Sequence, residues 1–389
     1  MARSIGEWIK DFYGFGHHGG MDLAVKIRRL NFRIIAIIAF IGLAGVLALY
    51  SAGNGNWQPW ALKHLIRFGL FFALMIGIAM VDIRRWLQYA PILYIGCMIL
   101  LVAVEFVGTV GMGAQRWIDF GFFQLQPSEL MKICLILSLA RYFHSVDSQQ
   151  ILRLTSLIVP AALTIAPVIL VLLQPNLGTS AILLMCATAV TVLAGLRTRI
   201  IVLGFSSVLA AIPVIWHHMH DYQKRRVMTF LHPENDPLGA GYHIMQSKIA
   251  LGSGGVFGKG FLQGTQSHLN FLPEMQTDFI FTVLGEEFGL IGCFTILILY
   301  SVLIAYGFMV GFRANNQFSR LVAVGLSTNL FLYMFINVGM IMGLLPVVGV
   351  PIPLLSYGGT SLLTVMIGFG ILLGLDVHRD VRLPLRGTG

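Results

Sequence analysis

The chain has 389 residues, of which 57% are hydrophobic and only 11% charged. Soluble globular proteins carry about 25% charged residues, so this composition excludes a water-soluble fold. The net charge of +9 does not point to nucleic acid, because the basic residues are scattered at the ends of apolar runs rather than clustered on one element.

Residues 1–31 lack the short apolar core and small-residue cleavage site of a signal peptide. With Lys10, Lys26, Arg28 and Arg29 and a Gly/His stretch at 14–20, they read as a flexible cytoplasmic tail. Apolar runs long enough to cross a bilayer follow. The expected architecture is an all-α polytopic membrane protein of about ten transmembrane helices. They fall at 33–52, 66–83, 87–106, 127–144, 156–174, 179–196, 200–217, 278–311, 319–342 and 360–377. The transmembrane domain is thus 32–377, with a large extracytoplasmic loop, 217–277, between spans 7 and 8. Residues 378–389 form a second cytoplasmic tail. An even number of spans puts both termini on one side. With the termini inside, 17 of the 26 Lys and Arg fall in inner segments and 8 in outer ones, Lys132 lying within a span. The positive-inside rule therefore places both ends in the cytoplasm. The four cysteines, Cys97, Cys134, Cys186 and Cys293, each lie in an apolar run without metal-ligand spacing and read as small buried hydrophobes.

Five stretches could carry chemistry. Gly113-Ala-Gln-Arg-Trp-Ile-Asp119 follows the third span. Arg116 there is either a headgroup-level anchor or a partner for a lipid phosphate. In Gln126-Pro-Ser-Glu-Leu-Met-Lys132, Pro127 suits a first helical turn. Glu129 and Lys132 share one helix face, so they either lock two helices or line a hydrated cavity where Lys132 meets a phosphate. Gln174-Pro-Asn-Leu-Gly178 joins two spans with almost no loop. Pro175, Asn176 and Gly178 there predict a broken turn, tolerated only inside protein or beside water. Gly252-Ser-Gly-Gly-Val-Phe-Gly-Lys-Gly260 fails as a nucleotide loop, since Gly260 stands where Ser or Thr is needed. It is either a flexible loop or, with Lys259, an anion cradle. Asp278, where the outer loop enters an apolar helix, is either a helix cap or a partly desolvated carboxylate with the raised pKa of a general base. Glu286 and Glu287 read as partners for Arg or Lys. Finally, the prolines and glycines of 346–360, with Ser356 and Gly358, cannot form a regular helix and must line a cavity, to which Asn337 of the preceding span also belongs.

These stretches resemble the SEDS family (shape, elongation, division and sporulation) along nearly the whole chain after the tail. The matches are Gly-Ala-Gln-Arg-Trp at 113–117, Gln-Pro-Ser-Glu-Leu-Met-Lys at 126–132 and Gln-Pro-Asn-Leu-Gly-Thr-Ser at 174–180. Gly-Ala-Gly-Tyr-His at 239–243, Leu-Pro-Glu-Met-Gln-Thr-Asp-Phe-Ile-Phe at 272–281 and Ser-Tyr-Gly-Gly-Thr-Ser at 356–361 complete them. The stretches at 220–226 and 264–267 look like the rod-shape branch of the family rather than the division branch. One departure is Asn176, where the family often has Asp; any role needing charge at that turn is in doubt, although Asn keeps the acceptor oxygen.

The resemblance implies a peptidoglycan glycosyltransferase of the bacterial inner membrane that polymerises lipid II during elongation, with its site facing the periplasm. It puts the essential aspartate on Asp278 and the acid–lysine pair on Glu129 and Lys132. Arg116, Gln126, Lys259 and Ser356 are then expected at the substrate. Pro175, Asn176, Gly178, Asn337 and Gly358 are expected in the cavity wall. The implied partners are lipid II, the nascent glycan strand, a class B penicillin-binding protein, other elongation proteins and membrane lipids. A magnesium or manganese ion is the one cofactor expected, with no motif for it; neither nucleotide nor haem is. Helix count and intramembrane charges alone equally fit the alternative, a lipid-linked precursor flippase or transporter.

Overall fold

The computed structural model describes residues 21–111, 114–121, 124–146, 154–196, 198–218, 224, 228–230, 232, 240–268, 274–381 and 383. Much of 220–226, together with 113, 239, 272 and 273 of the expected motifs, lies outside them. The remainder is a helical bundle with one small sheet. In chain order the first helices are α1 (Leu23–Arg29), α2 (Phe32–Ala52), α3 (Ala61–Ala79) and α4 (Ile83–Val107). Strands β1 (Thr109–Gly111), β2 (Ala114–Asp119) and β3 (Gln124–Leu125) follow. Then come α5 (Pro127–Ser145), a 3-10 turn (Leu154–Leu157) leading into α6 (Ile158–Leu173), α7 (Leu177–Leu193) and α8 (Thr198–His218). Helix α9 (Ala240–Ser253) and the single turn α10 (Thr265–His268) lie in the long loop. The chain closes with α11 (Ile280–Arg313), α12 (Gln317–Ile341) and α13 (Gly359–Val377).

A helix stands at each of the ten expected positions. Among the described residues, α2, α3, α4, α6 with its 3-10 turn, α11, α12 and α13 are long and apolar enough to cross a membrane, and α7 is a shorter apolar helix. α5 is less apolar because it carries Glu129, Lys132 and Arg141. That difference follows from position. α12 and α13 have 72% and 83% of their apolar windows buried within the protein, whereas the other long spans bury 22–44%. α5 is also buried along most of its length and packs on α4, α12 and α7. The centre of the bundle is therefore α5, α12 and α13, and α3, α4 and α6 present Leu, Ile and Phe outward, as lipid-facing helices must.

Two features depart from the sequence reading. First, the loop after α4 is a three-stranded antiparallel sheet, with Thr109 opposite Trp117 and Ile118 opposite Leu125. A polar segment with β-favouring Thr, Trp and Ile can satisfy its backbone this way outside the apolar layer. Second, the segment read as a flexible tail is ordered over 22–31. Helix α1 is fixed at the base of the bundle: Lys26 Nζ donates to the Met80 carbonyl at 2.8 Å, and Arg29 Nη1 bonds Asp380 at 2.8 Å and the Val377 carbonyl at 3.4 Å. The N- and C-terminal ends of the described chain thus share one face. All four cysteines are free and buried; Cys97 and Cys134 meet across the α4–α5 interface, sulfur to sulfur at 3.3 Å.

Candidate active site

Asp278 lies at the mouth of the bundle, immediately before α11. Phe279, not Asp278, is the N-cap of that helix and makes no side-chain cap bond, so the capping role weighed for Asp278 is not the one it takes. Its main chain is held on both sides. The Asp278 N–H donates to the Glu274 carbonyl at 3.1 Å, and the Asp278 carbonyl accepts from Asn337 Nδ2 at 2.9 Å. The carboxylate faces the irregular segment 342–358. A Cβ on Gly349 would stand 3.5 Å from Asp278 Oδ2, and Gly349 has a φ of +69°, a conformation suited to glycine.

That irregular segment is pinned from four directions. Asn337 Nδ2 also donates to the Val350 carbonyl at 2.7 Å. The Tyr357 N–H donates to the Gln276 carbonyl at 2.8 Å. His64 Nε2 lies 3.1 Å from the Leu354 carbonyl, and the Tyr300 hydroxyl donates to the Pro353 carbonyl. Ser356 closes an internal turn, accepting from the Ile352 N–H at 2.9 Å and donating its own N–H to the Ile352 carbonyl at 3.0 Å. Its buried hydroxyl thus accepts a main-chain bond and has a structural role in this turn. Gly358 begins α13 as its N-cap, where a Cβ would meet Ser361 Oγ at 2.4 Å.

The broken turn between α6 and α7 abuts the same segment. The Asn176 side chain accepts from the Thr179 N–H at 3.3 Å and caps α7, so an amide suffices and no charge is needed. A Cβ on Gly178 would stand 3.1 Å from the Val348 carbonyl. Arg116, aimed from β2, clamps this turn through Nε to the Gln174 carbonyl at 3.0 Å and Nη2 to the Pro175 carbonyl. It thereby holds the turn just past the end of α6. Gln126, half-buried at the start of α5, is tied through its N–H to Thr360 Oγ1 at 3.2 Å, and that hydroxyl donates to the Gln124 carbonyl at 2.9 Å.

The charged pair of α5 sits one layer deeper. Lys132 has no exposed surface; its ammonium bonds Glu129 Oε1 at 2.6 Å and the Tyr333 hydroxyl, which in turn donates to Glu129 Oε2. The three groups satisfy one another across α5 and α12. This arrangement is the interhelical lock, and it leaves Lys132 turned away from any phosphate. Lys259 is engaged as well, with Glu286 Oε1 at 2.7 Å and Thr265 Oγ1 at 2.8 Å. Glu286 therefore has the cationic partner expected of it, and Glu287 accepts from the Ser51 hydroxyl. The Gly-rich loop is not a cradle: Lys259 and Gly260 donate their N–H groups to the carbonyls of Glu286 and Glu287, each at 3.0 Å.

Three contributors were not singled out as site residues by the sequence reading. Tyr333 had no local signal and Thr360 only its place in the 356–361 match, because each works through a partner about 200 residues or more away. Arg67 had a weak one, a cation early in a span. Its guanidinium stacks over the Tyr357 ring at 5.2 Å and makes no hydrogen bond among the described residues, and Tyr357 is tied through its N–H to Gln276, two residues before Asp278. Among the described residues no three His, Cys, Asp or Glu side chains converge to hold a metal. No chemical step below depends on a magnesium or manganese ion.

Comparison with known proteins agrees with the motifs. The family model of FtsW, RodA and SpoVE cell cycle proteins matches residues 25–381. The chain belongs to the FtsW/RodA/SpoVE family. Peptidoglycan glycosyltransferase MrdB of Escherichia coli K12 is 49% identical over 349 residues, covering 90% of this chain and 94% of that protein. MrdB of Helicobacter pylori is 38% identical over 82% of this chain and 84% of its own length. Among solved structures of family type, a chain of a peptidoglycan synthase complex that coordinates polymerization and crosslinking superimposes with a TM-score of 0.77. It has 30% identity and covers 90% of this chain and 98% of its own. The rod shape determining protein RodA of Thermus thermophilus gives 0.68 at 27% identity, covering 91% of this chain and 98% of that one.

Proposed function

We propose that this membrane protein is a peptidoglycan glycosyltransferase acting in cell elongation, with Asp278 as its general base. The observation that carries the assignment of the base is the placement of Asp278. It is a half-buried carboxylate on a backbone fixed at both its N–H and its carbonyl, beside the irregular segment 342–358. A general base must lie within hydrogen-bond reach of the proton it takes, and a rigid mount is what holds it there.

The reading of the reaction is as follows. Lipid II and the growing strand enter from the outer leaflet of the inner membrane, through which the chain passes ten times with both ends cytoplasmic. Asp278 accepts the proton of the acceptor GlcNAc 4-hydroxyl. The oxygen attacks C1 of the donor MurNAc, the bond from C1 to the pyrophosphate oxygen breaks, and undecaprenyl pyrophosphate departs with the electron pair. Inversion at C1 needs one base and no covalent intermediate. The leaving group is an anion, and preorganised positive charge lowers the barrier for its departure. Arg116, Lys132 and Lys259 are already paired within the protein, so Arg67 is the cation assigned to that task. A class B penicillin-binding protein is the partner that crosslinks the product.

The test is polymerisation of lipid II by the purified protein with its transpeptidase. Asp278→Asn keeps the volume and removes the base, and its rate should fall by about 10²-fold or more. A wild-type rate would sink the assignment. Glycan synthesis in detergent separates this reading from a flippase, because flipping has no meaning without a bilayer.

A further inference from the structure

We propose that Asn337 is the positioning residue of the site: it sets the distance between Asp278 and the loop that approaches its carboxylate. The proposal rests on the reading of Asp278 as the base. Asn337 lies on α12 with no exposed surface. Its single carboxamide nitrogen sends one N–H to the Asp278 carbonyl at 2.9 Å and the other to the Val350 carbonyl at 2.7 Å. Both acceptors belong to irregular backbone, the first just outside α11 and the second within 342–358. Neither has a helical ladder to hold it, and the N-cap Phe279 contributes no side-chain bond.

Asn337 is therefore the side-chain bracket between two segments that are also joined, further along, by the main-chain bond from the Tyr357 N–H to the Gln276 carbonyl. Gly349, adjacent to Val350, is the residue over Asp278 Oδ2. A shift of the Val350 carbonyl moves Gly349 against the carboxylate, and a shift of the Asp278 carbonyl moves the carboxylate itself. The carbonyl oxygen of Asn337 has no partner among the described residues, so the side chain acts here as a double donor. A hydrocarbon of the same size cannot replace it, and neither can a carboxylate. Misplacement of a reacting group by about 1 Å costs on the order of 10²-fold in rate, whereas substrate affinity, spread over a long lipid and sugar, is insensitive to it.

The experiment measures initial rates against lipid II concentration for the complex with the transpeptidase, together with its thermal midpoint. Asn337→Leu removes both donors at similar volume, and Asn337→Gln keeps the amide. The expected result is a kcat for Asn337→Leu lower by about tenfold or more with KM changed less than about twofold, a lowered midpoint that still leaves the complex folded at the assay temperature, and partial recovery of kcat in Asn337→Gln. A kcat within twofold of wild type in folded Asn337→Leu overturns the proposal. So does a loss that merely tracks the folded fraction, or failure of both variants to fold, since either makes Asn337 a packing residue. Asp278→Asn is run in parallel. If it is fully active, the assignment of the base has failed. If it is inactive while Asn337→Leu is normal, only the present inference has failed.

Discussion

Charge satisfaction inside the bundle is decided residue by residue. Lys132, Glu129 and Tyr333 form a closed set with no water-facing member. Removing one partner of a buried ion pair leaves the other uncompensated and costs about 3–5 kcal/mol. Glu129→Gln is therefore expected to lower the thermal midpoint sharply and to deplete the folded protein, and Lys132→Met to do the same. The double variant Glu129→Gln with Lys132→Met removes both charges and should recover much of the lost stability, read by thermal unfolding in detergent. A Lys132 that instead contacted substrate would give a folded but inactive single variant. Arg67 differs in kind, because its guanidinium is stacked on Tyr357 but has no carboxylate to neutralise. Arg67→Ala should leave the midpoint nearly unchanged and cut kcat for lipid II polymerisation by about tenfold, in proportion to about 1–2 kcal/mol of lost transition-state stabilisation. Unchanged kcat in that variant would move the leaving-group role elsewhere.

At the scale of the element, the least regular piece is α11. The sequence predicts one long span with polar first turns, and the helix is in fact broken at Gly289, which has φ 64° and ψ −159°. The Gly-rich loop fills the break: Leu290 and Ile291 donate their N–H groups to the carbonyls of Gly255 and Val256 at 3.0 and 3.2 Å. A Cβ on Gly258 would lie 2.0 Å from the Glu287 carbonyl, and one on Gly289 would lie 2.4 Å from the Gly258 N. Only glycine allows that approach. Gly289→Ala should cost about 1–3 kcal/mol from its backbone conformation alone, plus the clash, and lower the midpoint of the complex accordingly. The loop also shows where sequence reading reaches its limit. Spans, the start of α5 and the broken turn before α7 were legible because they depend on local apolar runs, on Pro127 and on Pro175, Asn176 and Gly178, whereas the capping of α7 by Asn176 was not read. The site motifs were legible as motifs, and Asp278 was singled out from its place at the head of a span. The engagement of Arg116, Lys259 and Ser356 was not legible, since each bonds backbone or side chains whose position only the tertiary fold determines. A cation in a polar loop reads the same whether it meets a phosphate or a neighbouring carbonyl.

For the whole molecule, the central question is which face carries the site. The ends of the described chain meet at one face through Arg29 and Asp380. The irregular segments around Asp278 and Val350 are joined to the opposite ends of α12 and α13, since α12 begins at Gln317 and ends at Ile341, next to 342–358. The proposed function needs the first face in the cytoplasm, as charge counting expects, and Asp278 in the periplasm. The four native cysteines are buried, so they give little background for labelling by a membrane-impermeant maleimide. Lys248, exposed on α9, and Asn315, exposed between α11 and α12, lie at opposite ends of this arrangement. Lys248→Cys should be labelled once the periplasm is reached, with the inner membrane intact, and Asn315→Cys only after that membrane is lysed. Reversed labelling would turn the molecule over and place Asp278 where no lipid-linked glycan strand is assembled, which would remove the polymerase reading together with the topology. Labelling of both sites in intact spheroplasts would break the helix count instead, since α11 would then not separate the two compartments.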